Sequence, residues 1–140
     1  MQEPIYYEVS FEIAREFIAS WSDGEIASPA PISAAEITMM KAMLANAVIT
    51  YNQLVNYKES YVIELSSYGV QYTPYYNKLG ERIIWLNGFM LERYSSSYTE
   101  EDGDYTRGVV FGLDGGNYYF QTAINLAKQV ISPVRINGFA

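Results

Sequence analysis

A chain of 140 residues, 49% hydrophobic and 18% charged, is long enough for one domain with its own core and too apolar for disorder. Its net charge of -7 argues against binding a phosphate backbone, which needs clustered Lys and Arg, and having neither cysteine nor histidine removes disulfides, thiolate zinc sites, thiol nucleophiles and the commonest general base. No apolar run reaches the roughly 18 residues of a membrane span, so the sequence predicts a soluble chain with no membrane insertion, nucleic-acid partner, cofactor or metal site.

In chain order, Phe11, Ala14, Phe17, Ile18 and Trp21 recur at helical spacing and predict an amphipathic helix over Val9 to Trp21, ended by Ser22-Asp23-Gly24. Glu25 to Ile32 carries Pro29 and Pro31 and is expected to be an extended linker, so residues 1–32 form an N-terminal helix and linker. Ser33-Ala-Ala-Glu36 is a capping box, in which the Ser33 hydroxyl accepts from the Glu36 amide and the Glu36 carboxylate reaches back. It opens a long helix within residues 33–56, with an apolar stripe of Ile37, Met40, Leu44, Val48, Tyr51 and Val55. The Met39, Met40 and Met43 cluster is assigned to gap-filling in the core rather than to an adaptable binding surface.

From residue 61 to 140 the period shifts towards two, which predicts an antiparallel sheet. Tyr61 to Leu65 is ambiguous, Gly69 to Tyr76 is a strand, and Asn77-Lys-Leu-Gly80 turns into a second strand over Glu81 to Leu91. Both alternating sets of that second strand are largely apolar, so it is expected at the centre, covered on both faces. Tyr94 to Thr106 is polar and acidic, a loop that fits no calcium-binding pattern. Val109 to Leu113 and Asn117 to Leu126 flank Asp114-Gly115-Gly116. No helix follows those glycines and no Walker lysine is present, so they are expected to make a hairpin turn rather than a phosphate cradle. A last strand is expected over Val134 to Phe139; its Asn-Gly-Phe echoes Asn87-Gly-Phe89, where a strand glycine suggests close backbone approach.

Without His or Cys, acid–base chemistry would fall to Asp, Glu, Tyr or Lys. Carboxylate pairs such as Glu64 with Glu92, or Asp114 with Glu81, are conceivable, but no spacing selects them. The aromatic bias, 14 Tyr, 6 Phe and 2 Trp, is the more informative feature, because amphipathic rings suit contact surfaces as well as cross-strand packing. Tyr72, Tyr75, Tyr76, Tyr94, Tyr98 and Tyr119 are therefore the candidate partner-binding residues.

The segments Tyr68-Gly-Val-Gln-Tyr72, Gly80-Glu-Arg-Ile-Ile-Trp-Leu-Asn-Gly-Phe89, Asp114-Gly-Gly-Asn-Tyr-Tyr-Phe120 with Ile124-Asn-Leu126, and Asn137-Gly-Phe-Ala140 resemble a family of small exported proteins of Bacteroidetes, mostly uncharacterised. The resemblance implies a periplasmic or extracellular location after signal removal, the alternative being cytoplasmic, and a domain similar to cystatin-like or nuclear-transport-factor-like (NTF2-like) folds. It implies no catalytic residue.

The expected architecture is α+β, with one or two helices packed on a curved antiparallel sheet of four to five strands. The expected function is a non-enzymatic module that binds a protein or peptide through an aromatic, acidic surface. The alternatives are a small-molecule pocket or isomerase-like enzyme between helix and sheet, lined by Tyr with an ionisable Asp or Glu, and an acidic inhibitor or decoy of another protein.

Overall fold

The structure, a computed structural model, describes residues 3–22, 25–91 and 104–138. Its elements in order are β1 (Ile5–Glu8), α1 (Phe11–Trp21), β2 (Ile26–Pro29), α2 (Ala34–Leu54), β3 (Tyr68–Asn77), β4 (Arg82–Met90), β5 (Tyr119–Asn125), β6 (Val130–Ile131) and β7 (Arg135–Ile136). The class is α+β, as the sequence predicts, but the sheet is mixed and has seven strands rather than four to five.

Three antiparallel strands, β3, β4 and β5, form its centre, with β4 in the middle. Each outer edge is shared by two short strands. β1 pairs in parallel with Gly69–Tyr72 of β3, and β2 pairs antiparallel with Tyr75–Asn77 further along the same strand. On the other side β7 covers Phe120–Gln121 of β5, and β6 covers Ile124–Asn125. Part of the expected linker is instead an edge strand: Pro29 ends β2, where a missing amide leaves no ladder bond of a central strand unmade, and Pro31 lies beyond it.

Helix α2 begins as its capping box requires. The Ser33 amide donates to Glu36 Oε1 at 2.9 Å and the Glu36 amide to Ser33 Oγ at 3.1 Å. Arg82, the first residue of β4, then pairs with the same Glu36 carboxylate and donates to the Pro31 carbonyl at 3.0 Å, which fixes the helix start against the sheet. The helix buries Met40, Leu44 and Val48 on Val70, Ile84, Leu86, Phe120 and Ile124, with Met39 and Met43 half-buried beside them. Beyond its end, Asn56 and Tyr57 take positive φ, and Asn52 exchanges two hydrogen bonds with the Ile63 backbone, at 2.8 and 2.9 Å, holding the return segment on the helix.

Helix α1, capped by Ser10, lies on the opposite face and buries Phe11, Ala14 and Ile18 against Tyr75, Ile83, Trp85 and Ala123. The two alternating sets of β4 therefore serve two cores: Ile84 and Leu86 face α2, and Ile83 and Trp85 face α1. Close approach at the central glycine is real. A Cβ on Gly88 would meet the Phe120 ring at 2.0 Å, and one on Gly69 the Phe89 ring at 2.5 Å, each ring belonging to the residue paired across the ladder. The echo at Gly138 has no such role, since nothing lies within 4 Å of its Cβ position.

The expected hairpin around Asp114 does not form. Val109 to Leu113 is not a strand, and Gly116–Tyr118 makes a single 3-10 turn that leads into β5. Gly115 and Gly116 do supply positive φ, at 98° and 55°, but the chain they turn is anchored from elsewhere. Asn137 donates its side-chain amide to Gly112 and Asp114 carbonyls at 2.8 and 2.9 Å, while Asn117 donates to the Val62 carbonyl at 2.7 Å and accepts at its own carbonyl from the Tyr68 hydroxyl. The Asp-Gly-Gly-Asn unit is a structural junction.

Candidate functional site

On the α1 face the ladder aligns three amides. Gln71 of β3 pairs with Asn87 of β4, and Asn87 with Gln121 of β5, so their side chains form one row across the sheet. They are bonded in series: Gln121 Nε2 donates to Asn87 Oδ1 at 3.1 Å, and Asn87 Nδ2 to Gln71 Oε1 at 2.9 Å. Gln71 and Asn87 also hold the segment after residue 104. Gln71 Nε2 donates to the carbonyls of Tyr105 and Gly108, Asn87 donates to the Val110 carbonyl at 2.7 Å, and the Val110 amide donates back to Gln71 Oε1 at 2.9 Å. Gln71 and Asn87 are buried, so this saturation is what makes a polar row tolerable inside the domain. It separates two apolar clusters, one under α1 and one formed by Phe89, Tyr105 and Val110.

Next to the row lies a cleft of about 340 Å³ between α1 and the sheet. Its floor is Trp85, Asn87 and Gln121. One wall is Phe17, Ser20 and Trp21 of α1, and the other is Val109, Phe111 and Gly112, with Arg135 of β7 and Asn137 at the side. Phe17 and Phe111 meet across it with ring centroids 5.3 Å apart, and the Arg135 guanidinium stacks over Trp21 at 5.3 Å. Trp85 fits because its ladder neighbours are small, Thr73 on one side and Ala123 on the other.

Both tryptophans of the chain line this cleft, and both have a buried indole Nε1 with no hydrogen-bond acceptor among the described residues. Trp85 is 3% exposed. Since buried polar groups are normally paired, two orphan donors beside one cavity mark it out from the rest of the interior. Among the described residues Arg135 is the one charged residue lining it, and it forms no ion pair there. A second hollow, of about 260 Å³ and including Glu25 and Lys128 in its lining, adjoins it on the far side of Trp21.

The candidate tyrosines among the described residues, Tyr72, Tyr75, Tyr76 and Tyr119, do not share one surface. Tyr72, 7% exposed, is buried in the α2 core; Tyr75, 2% exposed, is buried in the α1 core, where desolvation raises its phenol to about 12. Tyr76 is half-buried at the end of β3, and Tyr119 is half-buried over Gly112 and Gly115 at the start of β5. Tyr94 and Tyr98 lie outside the described residues. Asp114 and Glu81 sit at opposite ends of the sheet, because β4 and β5 run antiparallel between them, and Glu92 lies outside the described residues. The residues missed from sequence are Trp21, Trp85, Gln121 and Arg135. Their one signal was an amide in the middle of each buried strand.

Among the described residues no helix is long and apolar enough to cross a membrane, and no cluster of His, Asp or Glu could hold a metal ion. Comparison with protein-family models, with curated proteins and with solved structures finds no match to this chain.

Proposed function

We propose that the protein is a non-enzymatic binding module that holds a small, flat, hydrogen-bond-accepting group in the cleft between α1 and the sheet. The observation that carries this reading is the pair of orphan indole donors. A buried unsatisfied N–H costs about 1–3 kcal/mol, and phenylalanine at the same positions would keep the apolar body without that cost. A ligand acceptor relieves it once the cleft walls part far enough to uncover these nitrogens, which the walls otherwise bury. The volume lies at the small end of ligand pockets, roughly 300–1,000 Å³, and the mix of aromatic walls with a few polar groups is typical of them.

The isomerase-like alternative gains no support here, since among the described residues the lining offers no Asp, Glu, Lys or Tyr to move a proton. A tyrosine surface has little support while Tyr72 and Tyr75 are buried on opposite faces.

The test uses the two tryptophans as reporters. A fragment library is screened against ¹⁵N-labelled protein, and hits are expected to move both indole cross-peaks. Trp85→Phe is expected to unfold at the same or higher denaturant concentration while binding those hits about tenfold or more weakly. If Trp85→Phe loses stability and keeps its affinity for the hits, the indole is only packing and the proposal fails.

A further inference from the structure

Resting on that reading of the cleft, we infer that its occupant is an aromatic carboxylate. Three features converge on this chemistry. The first is charge: the chain carries -7 overall, yet the charged residue lining the cleft among the described residues is the cation Arg135. Its guanidinium carbon lies 5.3 Å from the Trp21 ring centroid, and with no ion pair among the described residues its N–H groups can bond an oxyanion.

The second is donor balance. An indole can only donate, so Trp21 and Trp85 both ask for acceptors. An ionised carboxylate has two oxygens with about four lone-pair sites and no donor, so it can serve two indoles and a guanidinium together. One cation also balances one negative charge, whereas a phosphate dianion would call for a second cation that the lining does not supply among the described residues. The third is the wall. Phe17 and Phe111 form an aromatic pair at 5.3 Å, a surface that suits the ring of the ligand once its carboxylate is anchored.

The experiment compares isosteres. 3-Phenylpropionate and 3-phenylpropanamide differ only in the charged end, and both are titrated while the two indole cross-peaks are followed. The acid is expected to shift both peaks and to bind about tenfold or more tightly than the amide, as charge-assisted hydrogen bonds are about twice as strong as neutral ones. Arg135→Gln, at an exposed position, is expected to cost the acid far more affinity than the amide and so to bring the two together. An N-acetylated tripeptide ending in phenylalanine distinguishes the source: tighter binding than phenylpropionate places the carboxylate at a chain terminus, and weaker binding makes it a free acid. Equal affinity of acid and amide for the unmodified protein, with both moving the peaks, overturns the carboxylate and leaves the cleft as a binding site. If neither compound moves either peak, the cleft reading fails with it.

Discussion

The two faces of the central sheet are built by the same three strands and differ in almost every other respect. The α2 face is apolar and saturated: Val70, Ile84, Leu86, Phe120 and Ile124 are fully buried, and its one buried hydroxyl on β5, Thr122, donates to the Ser132 carbonyl at 2.7 Å. The α1 face carries a row of amides, two unpaired indole donors and a cleft. Because side chains alternate along a strand, one backbone can carry a face devoted to cohesion and a face that keeps unmet polar demand, with no residue shared between them. Stability and recognition are thus assigned to opposite parities of the same strands.

That contrast breaks most severely at Phe120. Phe120→Ala is expected to cost about 3–5 kcal/mol in urea unfolding, because its ring fills the space over Gly88 and contacts the α2 core, while the folded fraction keeps its indole resonances. A loss under about 1 kcal/mol would show that this face relaxes as freely as the other. Gln71→Ala is expected to cost less, about 1–3 kcal/mol, by leaving Asn87 and the Val110 amide without their acceptor. Its signature is local: the Val110 amide should lose protection in hydrogen exchange, and protection at Leu44 and Val48 in α2 should stay. Uniform loss in both places would mean that the row supports the whole sheet rather than one face.

Smallest is the effect at the start of α2. Ser33→Ala removes one half of the capping box and is expected to cost about 1 kcal/mol. Arg82 and then Ser33 hold Glu36 down from 4.5 to about 2. A carboxylate depressed in the folded state contributes stability that is complete above its unfolded value and is lost as pH falls towards the folded one, so this contribution disappears between about 4.5 and 2. Glu81 and Asp104 are lowered as well, by Asn77 and by Thr106 first, so acid titration of the unmodified protein mixes several groups. Arg82→Gln isolates the term: its unfolding free energy should fall less steeply through that window than that of the unmodified chain, and an unchanged slope would discount the pair.

What could be read from the residues were the features with local causes. The capping box placed the start of α2, the apolar stripe placed its buried side, and double alternation placed β4 at the centre. Asn77-Lys-Leu-Gly80 turns as expected, with Gly80 at φ 79° and Asn77 Oδ1 accepting from the Leu79 and Glu81 amides. Features with distant causes were not legible. β1 is four residues long and exists because Ile5 meets Gly69 across nearly half of the chain. Val109 to Leu113 has strand-like composition, but the Val110 amide and carbonyl are taken by Gln71 and Asn87, and the Gly112 carbonyl by Asn137, rather than by a partner strand. The amide row itself was visible only as Gln71, Asn87 and Gln121, three polar residues in three separate segments. Register turns them into a line, and register is a property of pairing that no single segment states.

The divided edges of the sheet bear on how the protein avoids polymerising. An open edge strand offers a template on which another chain can extend a sheet, and the hazard grows with the length of uninterrupted backbone it displays. Here one margin consists of β1 and β2, which run in opposite directions, with Pro29 at the end of the second. An arriving strand would have to match the slanted bonds of a parallel pair beside one piece and the perpendicular bonds of an antiparallel pair beside the next. The opposite margin shows only two residues of β6 and two of β7. A domain rich in tyrosine and β-branched residues thus presents no long ribbon for fibril growth along either flank of its described sheet.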